Sequence, residues 1–493
     1  MKPVCLVTAL LMAQPLGADV LFEDISDNLP THTYAGGWEH FVGGGVAVFD
    51  CNGDDLPDLL AAGGENPAQL MINEGNMRFT VAPLPALTAT TGVWPLDADG
   101  DGHLDVMVLR LGENQLLRGD GACGFTPANA RLGFDGGDAW STAFSAAWIG
   151  GTLVMAVGNY VDLDDPAGPF EACDSNQLHR RTGDGFSAEV LAPGHCALSM
   201  LFARDATGTR RLRISNDRHY YVRDGSEQMY DPVAGRFLGP EDGWETVRLW
   251  GMGIASRDIT GDGRAEVMLT SMGDQLLQIA GADGRYNPAP FSLGTYAQRP
   301  HLGDDGRPST GWHAEFSDVN NDGRSDLFIA KGNVDQMPGL AMEDPNSLLV
   351  QGESGIFSEA SVGAGVASMA RSRGAALADL DLDGLPDLVV VNRRAPMELY
   401  RNVTPDAGHR IAVSLRAPAP NTRAVGAVVT VTTRYGAQVQ EVTTGGGHGG
   451  GQSGPLHFGI GSAETADVTV EWPDGSVTGP LPATAGTRIA LSP

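Results

Sequence analysis

Short apolar runs recur along this chain, and five of them share one approach. Leu59-Leu60, Val106-Met107-Val108, Val267-Met268-Leu269, Leu327-Phe328-Ile329 and Leu388-Val389-Val390-Val391 each follow a short acidic stretch. Runs so brief and continuous predict buried strands rather than helices. After the runs come an apolar pair, a Gly-rich turn and an aromatic. The instances are Leu70 to Phe79, Leu116 to Phe125, Leu178 to Phe186, Tyr221 to Tyr230 or Phe237, Leu276 to Tyr286, and Leu348 to Phe357. A seventh pair, Leu399-Tyr400, has no aromatic strand after it, and an unpartnered one, Leu21-Phe22-Glu23-Asp24-Ile25, stands before the first loop. Two further units, 146–158 and 201–215, fill the long central gap without an acidic loop, and Asp205 and Thr207 are the only remnants of one. The pattern predicts an all-β, seven-bladed β-propeller of four-stranded blades. The N-terminal strand completes the last blade, because closure removes exposed sheet edges.

The acidic stretches carry the chemistry. Oxygen donors recur at relative positions 1, 3, 5 and 9: Asp50, Asn52, Asp54, Asp58; Asp97, Asp99, Asp101, Asp105; Asp258, Thr260, Asp262, Glu266; Asp318, Asn320, Asp322, Asp326; and Asp379, Asp381, Asp383, Asp387. Carboxylates packed this closely repel one another unless a cation intervenes. Calcium accepts six to eight oxygens at flexible angles, whereas magnesium holds to a strict octahedron and keeps its waters. Gly at position 6, present in four of the five loops, permits a sharp turn, and position 7 is expected to add a backbone carbonyl. No Cys or His stands at ligand spacing, which argues against zinc. Position 12 is Ala61, Val108, Leu269, Ile329 or Val390 rather than Glu, so these are not EF-hands. About five structural calcium ions are expected.

Composition narrows the setting. The chain has 493 residues, 67 of them Gly, and a formal charge of −29. Five calcium ions would still leave it acidic, so nucleic acid and anionic membranes are poor partners. Residues 1–18 read as a Sec signal with cleavage near Ala18, and the apolar core is too short to span a bilayer, so a secreted or periplasmic protein is expected. Four Cys remain beyond it. Cys173 and Cys196 flank one hairpin and are expected to pair, which leaves Cys51 and Cys123 to pair by elimination; free thiols are the other reading.

The pattern changes after the seventh blade, so a propeller of 19–403 is followed by a separate domain, 404–493. Runs at 411–415, 425–431, 438–443, 456–461 and 468–475 read as strands of a small β-sandwich. Gly445-Gly-Gly-His-Gly-Gly-Gly451 reads as a flexible or special-backbone loop, since no strand–loop–helix context supports phosphate binding.

The acidic loops and blade hairpins resemble FG-GAP/VCBS repeats, the units of the integrin α-subunit propeller. Asn421-Thr-Arg-Ala-Val-Gly-Ala427, the stretch 445–453, Leu456-His-Phe-Gly-Ile-Gly461 and Glu471-Trp-Pro-Asp-Gly475 are similar to the ASPIC/UnbV module. Together they resemble bacterial relatives of the cartilage acidic protein family. The resemblance implies calcium in the blade loops, an extracellular or periplasmic binding role and no settled catalytic activity. Asp55 stands where the family has Gly, Thr260 and Glu266 depart from the third loop's pattern, and no EGF-like segment follows.

The expected function is a calcium-stabilised recognition or adhesion scaffold for a glycan or extracellular protein. Its ligand face is expected on the rim bearing the long connections 159–176, 286–312 and 332–346. A polysaccharide lyase or hydrolase is the alternative, with His179, Arg180, Arg181, His219, Tyr220, Tyr221, His301, His313, Arg371 and Arg373 as candidates that form no known constellation. Tyr220 and Tyr221 read rather as strand aromatics, and Trp312-His313 as a packed pair. An envelope structural component is the third reading. Arg118-Gly-Asp120 and the sequon Asn402-Val-Thr404 carry little weight in a chain this rich in Gly and Asp.

Overall fold

The computed structural model describes residues 19–493 apart from 184, 219–223 and 304–305. The expected signal sequence lies outside the described residues, as do His219, Tyr220 and Tyr221. Seven antiparallel blades succeed one another along the chain. Their inner strands are Val46–Phe49, Thr90–Leu96, Ser141–Ile149, Ala197–Arg204, Gly251–Arg257, Gly311–Ser317 and Ser372–Ala378. Their second strands are Asp58–Ala61, Asp105–Arg110, Thr152–Asn159, Arg210–Asn216, Glu266–Ser271, Asp326–Lys331 and Asp387–Asn392.

Blade faces stack on one another, so inner and second strands are buried on both sides. That is why they read as unbroken apolar runs rather than as alternating ones. An apolar cluster fills each junction between neighbouring blades, including the one between blades 7 and 1 around Val48, Leu59, Val389 and Leu399. Phe22–Asp24 pairs antiparallel with Glu398–Asn402 and completes blade 7, so the ring closes as expected.

The outer strands of blade 4 are Gln228–Asp231 and Arg236–Phe237, which hold the expected aromatics Tyr230 and Phe237; the expected start at Tyr221 lies outside the described residues. Asn402 is fully buried, its Nδ2 donating to Val319 O and Pro386 O, so the sequon offers no acceptor for a glycan. Arg118 is engaged by Asp99 and Asp101 of its own blade, so Arg118-Gly-Asp120 presents no free arginine.

The C-terminal sandwich packs two sheets. One is His409–Leu415 flanked by Leu456–Gly461 and Arg488–Leu491. The other runs Gly436–Glu441, Val428–Thr433, Thr465–Glu471, Val477–Thr484. Ile411, Val429, Phe458, Val468 and Trp472 form its core.

This domain penetrates the propeller. The glycine-rich loop enters the central channel and hydrogen-bonds along its wall. Ala146 N of blade 3 donates to Thr444 O, Gly446 N donates to Met200 O of blade 4, and Gly447 N to Ile254 O of blade 5. Val93 N of blade 2 donates to Gly449 O, and Val48 N of blade 1 to Gly451 O. Gln452–Ser453 then pairs in parallel with Val48–Phe49 as a fifth strand of blade 1. Of the two readings, flexible or special-backbone, the second describes the loop, with Gly445, Gly446, Gly447 and Gly449 all at positive φ: it is a plug, and bare backbone is what a channel this narrow admits. A Cβ on Gly450 would lie 2.2 Å from Val46 O, and one on Gly45 would lie 1.9 Å from Gly449 O.

His448 sits at the plug's tip, fully buried. Its Nε2 accepts from Gly43 N at 3.1 Å, its Nδ1 bonds Met252 O at 3.1 Å, and its backbone N–H donates to His313 Nδ1 at 3.1 Å. Burial pushes its imidazole down to about 3. The far mouth of the channel is stoppered by the segment leading into blade 1. Arg373, buried 3.9 Å over the Trp312 ring, donates to Phe41 O and Val334 O, and Tyr34 Oη donates to Val42 O.

Candidate metal centres

Strand direction alternates within each blade. Turns between inner and second strands therefore share one rim, and the long connections 159–176, 286–312 and 332–346 share the other. All five acidic loops are turns of the first kind. In blades 3 and 4 the same turn is made at 150–151 and 205–209, without the donor set.

The four donor positions divide into two kinds. Position 9 is the first residue of the second strand and is buried in every loop: Asp58, Asp105, Glu266, Asp326 and Asp387. Each carboxylate takes two backbone N–H groups. Asp105 accepts from Ala98 N at 2.8 Å and Gly119 N at 3.0 Å, and Asp387 from Leu380 N and Asn402 N, both at 2.9 Å. Asp58 and Asp326 repeat this with Cys51 and Asn73, and with Val319 and Gln351. Glu266 reaches Ile259 N at 3.0 Å and Ala280 N at 3.4 Å, so the longer side chain preserves the same bridge.

Positions 1, 3 and 5 fold the loop on itself. Asp97 accepts from Gly100 and Gly102, Asp99 from Asp101 N, and Asp101 from His103 N. The other loops follow this pattern closely, Asp258 holding Gly261 and Gly263, and Asp318 holding Asp322 and Gly323.

The donor set fits a hard divalent cation. Carboxylate oxygens of Asp97, Asp99 and Asp101 lie within 4.8 Å of one another, as do those of Asp379, Asp381 and Asp387. Asp379 Oδ1 is buried without a hydrogen-bond partner. Burial pushes Asp58 up to about 6, Asp105 and Glu266 to about 7, and Asp387 to about 8. Burial first, and repulsion from nearby Asp carboxylates second, also hold Asp318 and Asp326 well above the ordinary range. A cation at the loop centre would relieve that strain and keep the groups ionised. Arginines partly screen the outer donors: Arg401 lies 2.8 Å from Asp381 and 3.2 Å from Asp383, and Arg324 pairs with Asp322.

Cys51, at position 2 of the first loop, is bonded to Cys123 in the outer hairpin of blade 2, and Cys173 to Cys196. The pairing expected by elimination is the one formed, and the first bond staples adjacent blades on the loop rim. Two disulfides fit an extracellular or periplasmic setting. No helix among the described residues is long and apolar enough to cross a membrane.

The C-terminal domain sits on the loop rim, which the sequence did not reveal. Gly408 N donates to Asn320 O at 2.9 Å, Gly461 N to Asn321 O at 2.8 Å, and Thr422 Oγ1 to Asp97. Arg423 reaches Gly102 O at 3.0 Å, Arg488 pairs with Asp55 at 3.0 Å, and Arg204 and Arg210 of blade 4 pair with Glu471 and Glu441. A crevice of about 1020 Å³ encircles the stalk of the plug between rim and sandwich.

The candidate catalytic residues are scattered. His179 packs against Phe134 in blade 3, and Arg180 lies 3.8 Å from Glu189. His301 bonds Ser361 Oγ at 2.9 Å, and Arg371 pairs with Asp335 at 3.4 Å. His313 and Arg373 are buried in the channel wall, so Trp312-His313 is the packed pair expected. Arg181 lies over the Phe186 ring.

Comparison with known proteins gives two family matches. The FG-GAP-like repeat model matches residues 50–108 and 318–390, which hold four of the five loops, and the ASPIC and UnbV model matches 417–492. No curated protein matches the chain. Among solved structures it is similar to BBS1N in complex with ARL6DN, at 8% identity and TM-score 0.45, over 78% of this chain and 98% of that one. YCF48 bound to D1 peptide is similar at 9% identity and TM-score 0.44, over 79% of this chain and 99% of that one. An Agrocybe aegerita lectin that recognises non-reducing terminal N-acetylglucosamine is similar at 14% identity and TM-score 0.37, over 64% and 79%.

Proposed function

We infer that this chain, an FG-GAP-repeat protein with a C-terminal ASPIC/UnbV domain, is an exported scaffold, braced by calcium in its blade loops, that recognises a glycan or protein on the rim facing away from that domain. One observation carries the reading. The sandwich and its plug occupy the loop rim and the channel, which leaves the opposite rim as the broad surface built from long connections. Those connections are braced from within. Cys173–Cys196 ties 159–176 to the start of the blade-4 inner strand. A fully buried Lys331–Asp344 pair at 3.4 Å and the Asn333 side chain, which bonds Met337 O and Ala341 O, hold 332–346.

Aromatic rings stand out from this frame. Trp38 is 43% exposed and packs edge-on against buried Trp140 at 5.1 Å, while Phe170 and Phe291 are 59% and 78% exposed. Rigid loops bearing exposed rings suit the faces of sugars or apolar side chains.

The test is a glycan array probed in calcium and in chelator, repeated with Trp38→Ala and Phe170→Ala. Binding should need calcium and weaken about tenfold or more in the variants, the scale of an interface anchor. Binding that survives both substitutions would place the ligand elsewhere.

A further inference from the structure

The five loops are not equivalent beneath the C-terminal domain. In blades 1, 2, 5 and 7 the position-1 carboxylates Asp50, Asp97, Asp258 and Asp379 line the crevice, although Asp97 is itself only 1% exposed and accepts from Thr422 Oγ1. The blade-6 loop differs here: Asp318 does not line the crevice. Position 5 gives no such contrast, the Asp322 side chain being 22% exposed against 25% for Asp101. Asp318, Asn320, Asn321 and Asp326 are 5%, 3%, 2% and 1% exposed.

The cover is specific. Position 4 is Asn321, where three of the other loops have Gly, and it adopts φ 59°. Its Nδ2 donates to Gly384 O of the blade-7 loop at 2.9 Å, and its Oδ1 meets His457 Nε2 of the sandwich at 2.6 Å. Gly408 and Gly461 donate to the loop's carbonyls from above. Gly459 presses closest: a Cβ there would lie 1.9 Å from Asp318 Oδ2 and 2.6 Å from Asn321 Cα.

We propose that the C-terminal domain gates ion exchange at blade 6. Calcium in the loops of blades 1, 2, 5 and 7 exchanges with solvent directly or through the crevice, whereas calcium in the blade-6 loop is released only when the sandwich lifts from Asn320 and Asn321. The proposal rests on the calcium reading above. The domain's seat on the rim becomes the lock of one particular site, since exchange there must wait for a local opening of the interface.

The experiment follows radioactive calcium on the full chain. Bound ions are first counted at equilibrium, and release is then timed after mixing with excess chelator. One ion of about five should leave about tenfold or more slowly than the rest, because its exit requires that opening. Gly459→Ala should convert the slow ion to a fast one without lowering the count. Asp318→Asn should delete the slow phase alone, and Asp258→Asn should remove a fast ion. Gly454→Ala, where a Cβ meets nothing within 4 Å, should change nothing. Release of all ions in one phase, a count of four with no slow phase, or a slow phase that survives in Gly459→Ala overturns the gate. A count of zero before chelation overturns the calcium reading itself, so the two failures are distinguishable.

Discussion

Within a nine-residue loop, identical carboxylates do different work. Position 9 holds the blade together whether or not a cation is present, because its two oxygens satisfy two buried N–H groups. Position 5 is less buried: it accepts one N–H from within the loop and, in blades 2, 5, 6 and 7, pairs with an arginine at the surface. Asp105→Ala strands the N–H groups of Ala98 and Gly119. An unsatisfied buried donor costs about 1–3 kcal/mol, so this variant should lose about 3 kcal/mol or more in chelator and in calcium alike. Asp101→Ala should stay within about 1 kcal/mol of the parent in chelator, as exposed sites usually do, yet give up much of that loop's share of calcium stabilisation. Denaturant titration of both variants in both buffers decides. Equal losses in chelator would show that the two positions are not distinct.

At the scale of the element, what could be read from the residues depended on whether an element's partners lie next to it in the chain. The blades were legible because each strand pairs with its sequence neighbour and the motif repeats. The last strands of the sandwich were missed because Pro480 and Pro482 interrupt Val477–Thr484, which is tolerable only because that strand is an edge. The acidic loops were legible as turns ahead of buried strands; the cover over one of them was not, since nothing local marks Gly408, His457 or Gly461 as lying on blade 6. The plug was illegible for the same reason. A glycine run has no periodicity, and its hydrogen-bond partners stand hundreds of residues away in separate blades.

The plug also makes a pH prediction. His448 is faced by Arg373, by His313 and by the Gly43 N–H, and its folded pKa falls from 6.5 to about 3. The unfolded chain therefore takes up the proton first. The stability is complete above about pH 6.5 and drains as pH falls towards 3. His457 and His179, pushed down by burial to about 3 and 4, act in the same direction. Between about pH 7 and about pH 5 the His448 share is about 2 kcal/mol. His448→Asn should lower stability at neutral pH but reduce the acid-induced loss by about that amount. Parallel losses in parent and variant would mean that His448 ionises in the folded state.

For the whole molecule, the plug changes what calcium can stabilise. A C-terminal module joined only by a linker would melt on its own. Here the sandwich bonds the inner strands of most blades through residues 444–453 and rests on loops whose shape the ions would set. Disturbing the loops should therefore loosen ring and sandwich together. Extracellular calcium modules bind at about 0.1–1 mM, so about 10 mM calcium adds about 1.4–2.7 kcal/mol per site by mass action. Several sites together amount to a large fraction of a domain's stability. Calorimetry of the protein in calcium should give one transition that carries both domains, and chelator should shift it down by many degrees while magnesium restores little of the shift. Two transitions in calcium, with only the first moved by chelator, would show that the sandwich does not share the propeller's cooperativity and that the plug is a passive filler. An unchanged melt in chelator would mean that the buried carboxylates are folded in their protonated form, with no ion behind them.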